Sequence, residues 1–123
     1  MKILLVDDDT FLRDMYATKF VECGHEVTTA VHAADGLRLI EQDDSFELVI
    51  VDMIMPGMTG VEMMEELGKI HPDRKYKFIV LSNQGQDQDI EEAKAAGAIG
   101  YIIKAQSIPS EVVKRVEEIV TGG

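Results

Sequence analysis

Apolar positions along this chain alternate between two textures. Ile3-Leu4-Leu5-Val6, Phe46 to Val51, Phe78-Ile79-Val80-Leu81 and Ile99 to Ile103 are short, nearly continuous apolar runs. Such runs mark strands covered on both faces, because a half-exposed strand would alternate with polar residues. Glu26 to Ala30 is a weaker, Thr-rich fifth candidate. Between the runs, apolar residues recur at helical spacing. Residues 10–23 place Leu12, Met15, Tyr16 and Phe20 on one stripe, and residues 33–42, 60–70 and 87–96 read the same way. A last helix opens near Pro109, with Ile108, Val112, Val113, Val116, Ile119 and Val120 as its core face. Gly24 and Gly97 stand where left-handed residues end helices, and Asp9 stands where a side chain caps one. Asp87 and Asp89 put negative charge in the first turn of the fourth helix, where the dipole favours it.

Five successive strand–helix units predict an α/β fold: a doubly wound (βα)5, flavodoxin-like, three-layer sandwich around a five-stranded parallel sheet. No linker or change of composition divides the chain, so residues 1–123 are expected to form one domain. Composition agrees, with 46% hydrophobic and 28% charged residues. The net charge of −11 argues against unaided binding to nucleic acid or an anionic membrane, both of which need clustered Lys and Arg. Cys23, the only cysteine, excludes an internal disulfide or a Cys-based zinc cage and reads as a small, half-buried filler. No apolar run approaches the roughly 18 residues of a membrane helix, and the N-terminus turns acidic too soon for a signal peptide. A cytoplasmic location is the expectation.

In an open parallel sheet, ligands bind beyond the carboxyl ends of the strands. Asp7 and Asp8 follow the first strand, Asp52 the third, Ser82 the fourth and Lys104 the fifth. Three carboxylates, a hydroxyl and an ammonium are thus expected at one edge. At about 5 Å and an effective dielectric near 20, each like-charge pair costs roughly 3 kcal/mol. Either a carboxylate takes up a proton or a cation sits among them. Oxygen donors without His or Cys favour Mg²⁺. A divalent ion, a fixed ammonium, a hydroxyl donor and a carboxylate nucleophile suit phosphoryl transfer to an oxygen, where position and countercharge do most of the catalysis. The Met-rich stretch (Met53, Met55, Met58, Met63, Met64) reads as core filling, and His25, His32 and His71 as scattered and unsupported by neighbours.

Leu5-Val6-Asp7-Asp8-Asp9, Asp52-Met53-Ile54-Met55-Pro56-Gly57-Met58-Thr59-Gly60, Ser82, and Gly97 through Tyr101 to Lys104 together resemble a CheY-like response-regulator receiver domain over essentially the whole chain. The resemblance implies the strand order 2-1-3-4-5. It implies Asp52 as phosphoacceptor, and Mg²⁺ held by Asp7, Asp8, Asp52 and the backbone carbonyl of Ile54. Lys104 and Ser82 would contact the phosphoryl oxygens, with Ser82 and Tyr101 as the switch pair. The phosphoryl donor would be a histidine kinase or histidine phosphotransfer protein. The output would be a protein target on the face of the fourth helix, fifth strand and fifth helix, with no direct contact to nucleic acid or membrane. The chain would act as a monomer or a phosphorylation-dependent dimer, and would assist its own chemistry without being a dedicated enzyme.

Four positions depart from the family pattern. Ala105 stands where Pro usually follows the lysine; because a non-proline cis bond costs about 2.5–4 kcal/mol, a trans or strained Lys104–Ala105 bond is expected. Asn83 stands where a smaller residue is common. Ile54 and Gln84 occupy the rim positions that govern water access, and apolar Ile54 predicts slow self-hydrolysis. Asp7-Asp8-Asp9-Thr10 also has a superficial likeness to the nucleophile loop of haloacid-dehalogenase-type phosphohydrolases. Phe11 and the lack of an acidic pair after Lys104 count against that reading. A flavodoxin is disfavoured because three aspartates would repel a cofactor phosphate.

Overall fold

The computed structural model describes residues 1–73 and 76–122. Five parallel strands form one sheet: β1 (Lys2–Val6), β2 (Glu26–Ala30), β3 (Leu48–Val51), β4 (Lys77–Ser82) and β5 (Ala98–Ile103). Their order is β2-β1-β3-β4-β5, as expected. The helices are α1 (Thr10–Glu22), α2 (Ala33–Gln42), α3 (Gly60–Ile70), α4 (Asp87–Ala95) and α5 (Pro109–Val120), and a 3₁₀ turn (Lys104–Gln106) follows β5.

Strand geometry sends successive side chains to opposite faces, and the continuous apolar runs fill both. Leu4, Val6, Val49, Val51 and Val80 pack with Ile40 of α2 and Met63, Met64 and Leu67 of α3. Ile3, Leu5, Leu48, Ile50, Ile79 and Leu81 face the other way, onto Tyr16 and Phe20 of α1 and Val112, Val113 and Val116 of α5. Each such side chain contributes about 1.5–3 kcal/mol when fully buried. The register pairs Val6 with Val51 and Val51 with Val80, so Asp7 and Asp52 leave adjacent strands side by side.

Helix ends follow the local chemistry read from the sequence. The Asp9 side chain accepts the Leu12 N–H at 3.0 Å, and Gly24 and Gly97 have φ of +92° and +113°. Thr59 and Glu62 form a reciprocal cap on α3. The methionines fill core as expected: Met53, Met55, Met63 and Met64 are all buried.

Several expectations need correction. β3 begins at Leu48 instead of Phe46, where its pairing with Ile3 of β1 starts; Phe46 lies in the loop before it, buried, with the Lys2 ammonium 5.1 Å from its ring centroid. Ser82 is the last residue of β4 instead of the first beyond it. Cys23 is exposed, since it caps the carboxyl end of α1 beyond its packed face. Ile108 is 60% exposed because it precedes Pro109 at the helix entrance instead of sitting on the core stripe. His25 and His71 are not unsupported: each has Nε2 against a carboxylate, Glu117 at 2.7 Å and Glu41 at 2.8 Å. The described residues contain no cis peptide bond, so Lys104–Ala105 is trans, as its lack of a proline predicts. Among them, no helix is long and apolar enough to cross a membrane.

Candidate functional site

The carboxyl edge of the sheet carries four buried polar side chains where the strand cores end: Asp7 (1% exposed), Asp52 (8%), Ser82 (1%) and Lys104 (6%). Asp8, on the loop after Asp7, is exposed. Asp7, Asp8 and Asp52 each bring a carboxylate oxygen to within 4.8 Å of the others. Lys104 Nζ lies 2.7 Å from Asp7 Oδ2 and 2.8 Å from Asp52 Oδ2, donating a hydrogen bond to the latter. All five residues expected at this edge are therefore there, and four converge.

Backbone groups hold the carboxylates in place. Asp7 Oδ1 accepts the Asp9 N–H at 3.0 Å, and Asp52 Oδ1 accepts the Ile54 N–H at 3.2 Å. The Asp52–Gly60 segment then turns back over the strand end. Gly57 has φ of +86°, and a Cβ on Gly60 would run into the Asp52 carbonyl oxygen. The two glycines of the Met-Pro-Gly-Met-Thr-Gly segment thus have separate reasons, one conformational and one steric. Ile54 stands beside this turn, 58% exposed, and offers no polar side-chain atom above Asp52.

The charges do not balance: three carboxylates face one ammonium. Burial raises the Asp7 carboxyl above its ordinary value, and the Asp52 charge adds to this; Lys104 and the Asp9 N–H oppose it. Burial works against the charged form of Lys104, but its contacts with Asp52 and Asp7 outweigh that and hold its pKa above 10.5. Asp7 Oδ2 meets the ammonium at ion-pair distance, yet no hydrogen bond of acceptable angle ends on it. A buried anionic oxygen with a free lone pair, two further carboxylate oxygens within reach and no nitrogen or sulfur donor is a donor set that suits a hard divalent cation.

Ser82 Oγ accepts the Gln84 N–H at 3.2 Å, and the Tyr101 hydroxyl donates to the Gln84 carbonyl. The backbone of one residue, Gln84, thus links the two residues of the expected switch pair through its N–H and its carbonyl. Tyr101 is half-buried, and burial raises its hydroxyl pKa, with Asp89 and Asp52 adding and Ser82 opposing.

Two residues near the site escaped the sequence reading. Arg13 is 9% exposed, and its Nη1 donates to the Asp7 carbonyl at 2.9 Å. Tyr16, read only as core, is 2% exposed; burial raises its hydroxyl pKa, and the charges of Lys104, Asp7, Asp9 and Asp52 all reach it. The available signal was spacing, since 13, 16 and 20 share a helix face.

The chain matches the family model for the response regulator receiver domain over residues 3–117. It is 34% identical over 120 residues to the chemotaxis protein CheY of Thermotoga maritima, covering 96% of both chains. Some other curated relatives are longer, and the chain spans only 16% and 45% of two of them. Among solved structures, Vibrio cholerae CheY4 superposes with a TM-score of 0.86 at 27% identity, covering 96% of this chain and 97% of that one. The Thermotoga maritima response regulator TrrA, in complex with Mg²⁺-BeF, gives 0.79 at 28% identity over 96% and 97%. With the strand order, the acidic edge and the motif-bearing loop all in agreement, the chain belongs to the response-regulator receiver domains of two-component systems.

Proposed function

We propose that this chain is a phosphorylation switch in which Asp52 accepts a phosphoryl group from the phosphohistidine of a histidine kinase or a histidine phosphotransfer protein. The observation that carries the reading is the sharing of one buried ammonium, Lys104, by two of three crowded carboxylates. An Asp52 carboxylate oxygen attacks phosphorus; the new P–O bond forms as the donor's P–N bond breaks, and the electron pair returns to the imidazole. Mg²⁺, held by Asp7, Asp8, Asp52 and the Ile54 carbonyl, would offset the charge on the phosphoryl oxygens. That TrrA is known in complex with Mg²⁺-BeF supports this assignment.

The protein's own groups do the rest. The Ile54 N–H fixes Asp52 Oδ1, so the carboxylate plane is set before the donor arrives. Lys104 stays protonated and follows the charge from the carboxylate to the phosphoryl oxygens. Ser82 turns its hydroxyl from the Gln84 N–H to a phosphoryl oxygen, releasing one end of the residue whose carbonyl anchors Tyr101. The new group adds about −1.5 to −2 charges. Its readout is the α4–β5–α5 face, where a protein target binds the altered Tyr101 surface, with the chain as a monomer or a phosphorylation-dependent dimer. No catalytic turnover of a separate substrate is involved, so the chain is not a dedicated enzyme. Residues 1–123 act as one receiver domain in the cytoplasm.

Incubation with acetyl phosphate, with and without Mg²⁺, followed by intact-mass measurement tests this. One added phosphoryl group is expected only with the metal, and none in Asp52→Asn. Incorporation that survives this substitution and is lost in Asp7→Asn would instead support a hydrolase nucleophile at Asp7.

A further inference from the structure

Arg13 takes no part in the transfer described above, yet it is placed unlike an ordinary surface arginine. It lies on α1 three residues before Tyr16 and seven before Phe20, on the helix face that enters the core. Among the described residues, its guanidinium has no carboxylate in bidentate contact. The Nε is buried without a hydrogen bond, and the Asp14 carboxylate is 4.0 Å from it. Burying a guanidinium on such terms is unfavourable, so its one short contact carries the reason for its position. That contact is Nη1 to the Asp7 carbonyl, the oxygen of the peptide joining Asp7 to Asp8.

Other polar groups of this turn are also tied down. The Asp7 N–H donates to the Ala30 carbonyl at 3.1 Å, and the Arg13 N–H to the Asp9 carbonyl at 2.8 Å. The Asp9 N–H donates to Asp7 Oδ1 at 3.0 Å. The Asp7 carbonyl would remain, and the Arg13 side chain takes it. The orientation of the Asp7–Asp8 peptide sets how the buried Asp7 carboxylate and the exposed Asp8 carboxylate stand relative to each other.

We propose that Arg13 is a positioning residue for the cation site: by holding the Asp7–Asp8 peptide, it presets the two carboxylates before the ion binds. This rests on the reading that Asp7 and Asp8 hold Mg²⁺. The sign of the effect separates positioning from charge. On Coulomb grounds alone, deleting a positive charge near a cation site relieves repulsion and strengthens binding. Weaker binding after its removal therefore reports lost geometry.

The test is calorimetric titration of Mg²⁺ alone into the full chain and its Arg13→Met and Arg13→Lys variants, with thermal denaturation in EDTA as the stability control. Arg13→Met is expected to raise the Mg²⁺ dissociation constant about tenfold, the scale of losing a group that orients a metal ligand. Arg13→Lys, which keeps one donor, should recover part of it. If Arg13→Met does not fold, Arg13→Lys and Arg13→Gln carry the test, and a raised constant in both supports the proposal. Unchanged or tighter Mg²⁺ binding in the folded variants overturns it, whether or not stability falls. Wild-type chain that binds no Mg²⁺ overturns the cation-site reading itself, a result distinct from wild-type binding that the variants match.

Discussion

Replacing Lys104 with Met keeps most of the length and the apolar stem of the side chain but deletes its charge. The Lys104 side chain is 3% exposed, and its Nζ lies 2.7 Å from Asp7 Oδ2 and 2.8 Å from Asp52 Oδ2. At an effective dielectric near 20, each contact is worth roughly 6 kcal/mol of attraction, from which desolvation of the ammonium takes several kcal/mol. Removing the ammonium also leaves the carboxylate oxygens of Asp7 and Asp52 facing each other within 4.8 Å. Their repulsion is roughly 3 kcal/mol. Deleting one partner of a buried ion pair costs about 3–5 kcal/mol, a large share of a domain's total of about 5–15 kcal/mol. In urea at pH 7 with EDTA, the midpoint of Lys104→Met should fall by roughly 2 M, for a slope of about 1–3 kcal/mol per molar urea. Adding Mg²⁺ should restore more stability to the variant than to wild type, because the ion then supplies countercharge the variant lacks. A variant within about 1 kcal/mol of wild type in EDTA would refute the reasoning, since the crowded carboxylates would then not need the ammonium.

Three further outcomes follow from the same geometry. Because Asp7 has a native pKa above its ordinary 3.8, its ionised form opposes folding, a penalty that develops as pH rises from that value through the native one. Asp7→Asn should therefore be more stable than wild type in EDTA at pH 7, on the order of 1 kcal/mol, the low end for relieving a buried charge whose hydrogen bonding is incomplete. That gain should vanish by pH 3.5, and a variant no more stable than wild type at pH 7 would contradict it. Gly60→Ala forces a Cβ against the Asp52 carbonyl and should cost about 1–3 kcal/mol in denaturation while slowing phosphorylation by acetyl phosphate; neither change occurs if the loop yields freely. Exposed, apolar Ile54 gives water no polar side-chain partner above Asp52, so phosphorylated chain monitored by intact mass should persist well beyond seconds, and Ile54→Asn should shorten its lifetime.

Much of this molecule was legible in the sequence because a parallel sheet covered on both faces leaves a strong mark. Runs such as Leu48-Val49-Ile50-Val51 leave no polar face, and the first polar residue after each marks the edge. The acidic edge was legible for that reason: Asp7 and Asp52 follow their runs directly, and parallel register sets them side by side. Ends were harder. Phe46 continues an apolar run but lies in the loop before β3, buried in the core, and Ile108 continues a helical stripe yet precedes the helix that Pro109 opens. The His25–Glu117 contact spans 92 residues, beyond what local pattern reveals. Arg13 was missed for a different reason: a lone arginine on a helix ordinarily lies in solvent, and only the Asp7 carbonyl, placed by the sheet, gives it a reason to turn inward.

The central claim is that the crowded edge readies one particular carboxylate, Asp52, for modification. The direct measurement is to treat the chain with acetyl phosphate and Mg²⁺, reduce the acyl phosphate with borohydride, and sequence the peptides by mass spectrometry. Homoserine at position 52, absent when Mg²⁺ is withheld, is the result predicted here. Homoserine at Asp7 or Asp8, or at no residue although Mg²⁺ binds, would contradict it.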